Sequence, residues 1–136
     1  MDLLRKLVDG ERALRTWLWI SLVCNMGIIV TGAVVRLTGS GLGCPTWPRC
    51  TDESYVPHEA YGIHGVIEFG NRLLTFVLII AALGAFIAAW RNRGFRSKLW
   101  WITLGVGLGI PLQAIVGGIT VLTQLDPSWV APHLLL

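Results

Sequence analysis

Three apolar stretches, residues 17–37, 73–90 and 99–122, constrain this chain more than any other feature. The second has a more polar lead-in from Ile63. A helix needs roughly 20 apolar residues to cross about 30 Å of hydrocarbon at about 1.5 Å per residue, and each stretch is long enough. Buried helices of a large soluble protein would need amphipathic partners to cover them, and the 136 residues supply none. Charged residues make up 14% of the chain, against about 25% in soluble domains. The expected fold is an all-α integral membrane helical bundle. It has three complete transmembrane helices and the start of a fourth.

The start of the fourth lies at the chain end. After Asp126-Pro127-Ser128-Trp129 the sequence turns apolar again through Val130, Ala131, Pro132, His133 and three leucines. Pro132 suits the first turn of a helix, where its missing donor costs little. So short a run cannot cross a bilayer, which implies a longer protein or a truncated product. Gly105 and Gly109 have small-xxx-small spacing, and with Gly107 they predict close helix approach. Pro111 predicts a kink. Asn25 and Gln113 predict interhelical hydrogen bonds.

Charge sets the expected orientation. Arg5, Lys6, Arg12 and Arg15 precede the first span, and Arg91, Arg93, Arg96 and Lys98 fill the turn between the second and third. Residues 38–62 hold only Arg49 against Asp52, Glu53 and Glu59, and residues 123–130 hold no Lys or Arg. Positive loops stay in the cytoplasm. The reading is a multi-pass cell-membrane protein with a cytoplasmic N-terminus and residues 38–62 outside. Residues 1–16 form a basic cytoplasmic segment lying on the membrane surface as a helix, and 17–136 form the bundle. Residues 1–16 contain no cleavable signal pattern. The basic residues fall in two clusters rather than across a face, which argues against nucleic acid as a partner and leaves membrane lipid.

Cys44 and Cys50 flank Pro45-Thr46-Trp47-Pro48-Arg49 in the expected outer loop, where thiols can stay oxidised. Three readings stand: a structural disulfide, a redox-active pair, or a metal site. The last lacks further nearby ligands. Gly39, Gly41 and Gly43 make a flexible approach to the pair. Cys24, within the first span, reads as a packed free thiol.

Ionisable groups inside a span default to function. His64, Glu68, Asn71 and Arg72 share one helical face, since they lie four, seven and eight residues apart from His64. The second and fourth helices both enter from outside, so His133 belongs to the same layer as Glu68, and Arg36 at the outer end of the first span joins them. A carboxylate there can exchange protons. Histidine is a usual axial ligand of haem iron, and arginine can hold propionates. The layer suggests a haem or quinone pocket. Each group also has a plainer reading: an ion pair of Glu68 with Arg72, an interfacial His64, and a His133 bonded to backbone.

These motifs resemble a known family. Leu37-Thr38-Gly39-Ser40-Gly41-Leu42-Gly43-Cys44-Pro45, then Trp47-Pro48 and Cys50, is similar to the first outer loop of the haem A synthases. Ile67-Glu68-Phe69-Gly70-Asn71-Arg72 resembles their second helix. Pro111-Leu112-Gln113-Ala114 with Val116-Gly117-Gly118-Ile119-Thr120-Val121 resembles their third, and Val130-Ala131-Pro132-His133 the start of their fourth. The resemblance implies an eight-helix architecture of two similar halves, each with a haem-type site, of which this chain is the N-terminal half. It implies an oxidoreductase that takes the haem O methyl group to a formyl group. Haem O is then the substrate, and haem b is expected mainly in the second half.

By that likeness Glu68 is the essential carboxylate, and Cys44 and Cys50 the loop cysteine pair. His133 is the fourth-helix histidine and iron ligand; Asn71, Arg72, Arg36 and His64 are expected around the haem from their place in the polar layer, and His64 matches no ligand of the family pattern. The family pattern often has a second histidine where Asn71 stands, and an amide is a poor iron ligand, so His133 carries the ligation of this half. The expected partners are haem O synthase and a C-terminal half or second copy of the chain. The 136 residues alone are expected to be inactive. Two other functions compete: a non-catalytic haem-binding or assembly module, and a quinone-linked membrane thiol oxidoreductase.

Overall fold

The computed structural model describes residues 7–136, so Arg5, Lys6 and the first part of the expected surface helix lie outside the described residues. Four α-helices follow one another: α1 (Glu11–Leu37), α2 (Gly62–Arg93), α3 (Lys98–Leu122) and α4 (Pro127–Leu135). A short 3-10 turn, Glu59–Tyr61, leads into α2. No strand occurs among the described residues. α1, α2 with its lead-in turn, and α3 are each long and apolar enough to cross a membrane. Their large apolar side chains stay exposed within the chain, including Trp19, Ile29 and Val30 of α1, Phe76 and Ile80 of α2, and Leu108 of α3. In water such a surface would be a large aggregating patch, whereas in hydrocarbon it needs no cover. The chain is a multi-pass helical membrane protein.

α1 begins at Glu11, six residues before the apolar stretch, so residues 11–16 extend the first span instead of forming a separate surface helix. Gly10, at φ 94°, makes the break ahead of it.

The chain packs as two compact units. The first joins the described residues through Gly27 with Phe76–Ile110. Leu14, Ala88 and Ala89 form its buried centre, flanked by Val8, Trp17, Leu18 and Leu99. The Trp17 ring lies against Gly84, where any side chain would collide with it. The segment before α1 is tied to the end of α2. Asn92 accepts the Gly10 amide at 2.6 Å and donates to the Val8 carbonyl at 2.7 Å. Arg91 pairs with Asp9, and Arg93 with Glu11 at 2.7 Å. Arginines in the last turn of α2 and Glu11 in the first turn of α1 also complement the helix dipoles. The α2–α3 turn uses left-handed Gly94 and Arg96, and Ser97 Oγ accepts the Trp100 amide at 3.2 Å. Asn25 donates to the Ser21 carbonyl of its own helix, so its bond is intrahelical where an interhelical one was expected.

The second unit joins Ile28–Thr75 with Pro111–Leu136. α3 runs through Pro111, where the unit boundary falls. Among the described residues the close approach expected at Gly105, Gly107 and Gly109 does not occur, because a Cβ added at any of them meets nothing within 4 Å. The glycines of α3 that do meet neighbours are Gly117 and Gly118. α4 starts at Pro127 rather than Pro132. Asp126 caps it by accepting the Ser128 amide at 2.8 Å, and Pro127 occupies the first turn, which leaves Pro132 in the interior.

Candidate functional site

The second unit holds nearly every chemically loaded residue of the chain. It is built on the end of α1. Gly39 turns left-handed at φ 67°, and the Ser40 amide returns to the Val35 carbonyl at 2.8 Å. The Ser40 hydroxyl is fully buried and lies 2.7 Å from that of Thr38 and 2.9 Å from His64 Nδ1. The glycines that follow are needed for contact, not flexibility. A Cβ on Gly43 would strike the His64 main chain, and one on Gly65 would meet Pro57, Tyr61 and the Gly43 carbonyl. Gly41 lies under the Leu125 side chain from the α3–α4 turn. The loop backbone is thereby pressed onto the first turn of α2.

Of the three readings of the cysteine pair, the structure shows the disulfide. Cys44 and Cys50 are joined at 2.04 Å, and both are buried. Cys24 remains a free thiol, partly exposed. Two further groups seat the loop. The Trp47 ring lies over Gly118 of α3. Ser54 closes the far end, accepting the amides of Cys50 and Thr51 on its carbonyl at 3.1 and 2.9 Å.

Glu68 is 5% exposed and sits directly beneath this loop. One carboxylate oxygen accepts the Cys44 amide at 2.7 Å, and the other pairs with Arg72. Arg72 then spreads across the loop. Its Nε donates to Glu68 at 3.1 Å. One terminal nitrogen donates to the Thr46 and Arg49 carbonyls at 3.0 and 3.2 Å. The other donates to the Cys44 carbonyl at 2.8 Å and to Glu68. A guanidinium has five N–H groups, and all are spent here. Arg72 therefore has no donor left for a propionate. It serves as the fork that binds a buried carboxylate and three loop carbonyls into one network.

The remaining predicted residues fall around this network. Asn71 accepts from the Thr31 hydroxyl of α1 at 2.7 Å, which fixes α2 to α1. His64 is exposed, with its Nδ1 turned to Ser40. Arg36 is also exposed, and no side-chain hydrogen bond or ion pair engages it among the described residues. His133, on α4, lays its imidazole against Gly117, where a Cβ would come within 2.9 Å of Cε1. Its Nδ1 is buried without a partner among the described residues. Gln113 donates to the His133 carbonyl at 3.3 Å, the interhelical bond expected of it.

Sequence reasoning passed over three parts of this site: Ser40, the Trp47 seat, and the Gly117-Gly118 pair as a contact surface. The last had a signal. Two adjacent glycines inside a helix cost about 1 kcal/mol each relative to alanine and need a packing reason. Here one accommodates an indole and the other an imidazole.

No three His, Cys, Asp or Glu side chains converge on a metal position among the described residues. A haem iron asks less of the protein, one or two axial ligands, and a histidine imidazole such as that of His133 is of the kind that supplies one.

Over residues 15–136 the sequence matches the cytochrome oxidase assembly protein family, COX15-CtaA. The chain belongs to this family. Its relatives include the Heme A synthase of Geobacillus kaustophilus, 32% identical over 73% of this chain and 30% of that protein. The Heme A synthase of Oceanobacillus iheyensis is 29% identical over 75% of this chain and 33% of that protein. The Protoheme IX farnesyltransferase of Halobacterium salinarum is 28% identical over 80% of this chain and 24% of that protein. The chain thus spans a quarter to a third of the length of these relatives. No solved structure matches it. The resemblance carried by the loop and helix motifs is borne out.

Proposed function

We propose that this chain is the substrate-side half of a haem A synthase, in which haem O is held for oxidation of its methyl group to a formyl group. The observation that carries this reading is the His133 imidazole. It is wedged against a glycine, has a buried Nδ1 without a partner among the described residues, and shares a compact unit with the Glu68–Arg72–disulfide network. His133 would hold the iron of haem O. Arg36, exposed and without a side-chain partner among the described residues, is the group suited to a propionate, since Arg72 is fully committed. Glu68 keeps the disulfide loop seated as a cap and presents a carboxylate beneath it. Bound haem, including haem b in the remainder of the protein, supplies the redox chemistry.

The cap is placed on the outer side of the cell membrane and the N-terminus in the cytoplasm. The arginines at the end of α2 and in the α2–α3 turn support this, against a cysteine loop of mostly acidic charge. A Ser54→Cys variant in sealed cells tests it: an impermeant maleimide should label the thiol from outside, and labelling only after lysis would reverse the topology. For the function itself, His133→Ala and Glu68→Ala variants of the synthase should accumulate haem O in cells. Undiminished haem A from either variant would refute its assigned role.

A further inference from the structure

Two buried polar atoms in the second unit lack any hydrogen-bond partner, and they belong to side chains already tied to one another. One is His133 Nδ1 and the other is Gln113 Oε1. The Gln113 carboxamide reaches from α3 to α4 and donates through Nε2 to the His133 carbonyl at 3.3 Å. Gln113 lies four residues before Gly117 on α3, so it occupies the same face as the glycine on which the imidazole rests. Leaving a buried donor or acceptor unpaired costs about 1–3 kcal/mol, and more where no water can reach it. The two groups are chemically complementary, and in this structure they are not bonded to each other. An imidazole protonated on Nδ1 is a donor there, and a carboxamide oxygen is an acceptor.

We infer that Gln113 is the positioning residue for His133: its carboxamide, which already donates to the main-chain carbonyl, turns its oxygen to accept the Nδ1 proton when the imidazole takes up its ligand. The second bond selects the tautomer. With the proton held on Nδ1, the lone pair is on Nε2. A histidine that ligates a metal generally donates its other N–H to a fixed acceptor, which orients the ring and raises its basicity. Gln113 supplies that acceptor from the neighbouring helix. It is not itself a ligand. Gly117 belongs to the same device, because a Cβ there would come within 2.9 Å of the imidazole and push it off α3.

This inference rests on the reading of His133 as an iron ligand, and the two can fail separately. The full chain is purified in detergent and titrated with iron protoporphyrin IX, following the Soret band, and the midpoint potential of the bound haem is then measured. His133→Ala should abolish the high-affinity phase. If it binds as the unaltered chain does, or if the unaltered chain shows no such phase, the ligand reading falls and Gln113 with it. Where His133→Ala abolishes binding, Gln113→Leu should weaken haem affinity by about 10–100-fold and raise the midpoint potential, since a less basic imidazole favours ferrous haem. Gln113→Glu, with a stronger acceptor in place, should restore affinity and lower the potential below that of the unaltered chain. A purely structural Gln113 would not move the potential in opposite directions in two variants. An unchanged potential in both overturns the inference and leaves the ligand reading intact. Should Gln113→Leu fail to fold, the direction of the Gln113→Glu shift decides alone.

Discussion

The carboxylate of Glu68 accepts the backbone amide of Cys44 at 2.7 Å, across 24 residues of sequence. A side chain on a membrane helix thus holds the first residue of the disulfide, and its other oxygen is held by Arg72. Removing one partner of a buried ion pair leaves an uncompensated charge, a loss of about 3–5 kcal/mol. Glu68→Ala should therefore unfold at markedly lower denaturant in detergent titrations, in addition to losing haem A output. If the variant matches the parent in stability, Glu68 does not secure the loop.

Arg72→Lys separates charge from geometry. Lysine keeps the positive charge but has three donors on a single nitrogen, so it cannot span Glu68 and three carbonyls. The loop should loosen and expose a disulfide that is now buried. Faster reduction of the Cys44–Cys50 bond by a phosphine is the expected readout, and an unchanged rate would show that the fork does not guard the disulfide.

The disulfide closes a loop of six residues' separation and should contribute about 2 kcal/mol through the entropy of the unfolded chain. A Cys44→Ser, Cys50→Ser double variant should lose that stability while retaining haem-linked activity at low temperature. Complete loss of turnover in a variant that remains folded would instead revive the redox reading of the pair.

The glycines of α3 should divide into two classes. Gly117→Ala and Gly118→Ala drive a methyl into the His133 and Trp47 rings, and each should cost about 1–3 kcal/mol. Gly105→Ala, Gly107→Ala and Gly109→Ala meet open space within the chain and should gain about 0.5–1 kcal/mol each from helix propensity. A series of thermal melts separates the classes.

Asp126 predicts a pH dependence. The hydroxyl and amide of Ser128 hold its carboxyl below the usual range. Because the folded value is depressed, the cap contributes fully above the unfolded value of about 3.9 and is lost as pH falls through the folded one. Hydrogen exchange at the start of α4 should accelerate in acid. Asp126→Asn should keep the cap and abolish the acid step.

Much of the fold was readable before any coordinates. The apolar stretches forced three spanning helices, and helical spacing put His64, Glu68 and Arg72 on one face of α2. What those residues grasp was not readable, because their partners are main-chain groups. The Cys44 amide and the carbonyls of Cys44, Thr46 and Arg49 look like those of any other residue in a sequence. For the same reason Arg72 read equally well as a propionate ligand until all five donors were accounted for.

The sequence by itself determined that this chain is helical and belongs in a membrane, and it marked the residues with chemistry to offer. Hydrophobic length and side-chain periodicity are local properties, and they survive without knowledge of neighbours. The tertiary structure decided which glycines are contact surfaces, that Arg72 is committed to the loop, and that Nδ1 of His133 is buried. Those outcomes depend on how backbones distant in sequence approach one another, and close packing makes each approach specific to the few ångströms that a single Cβ would occupy.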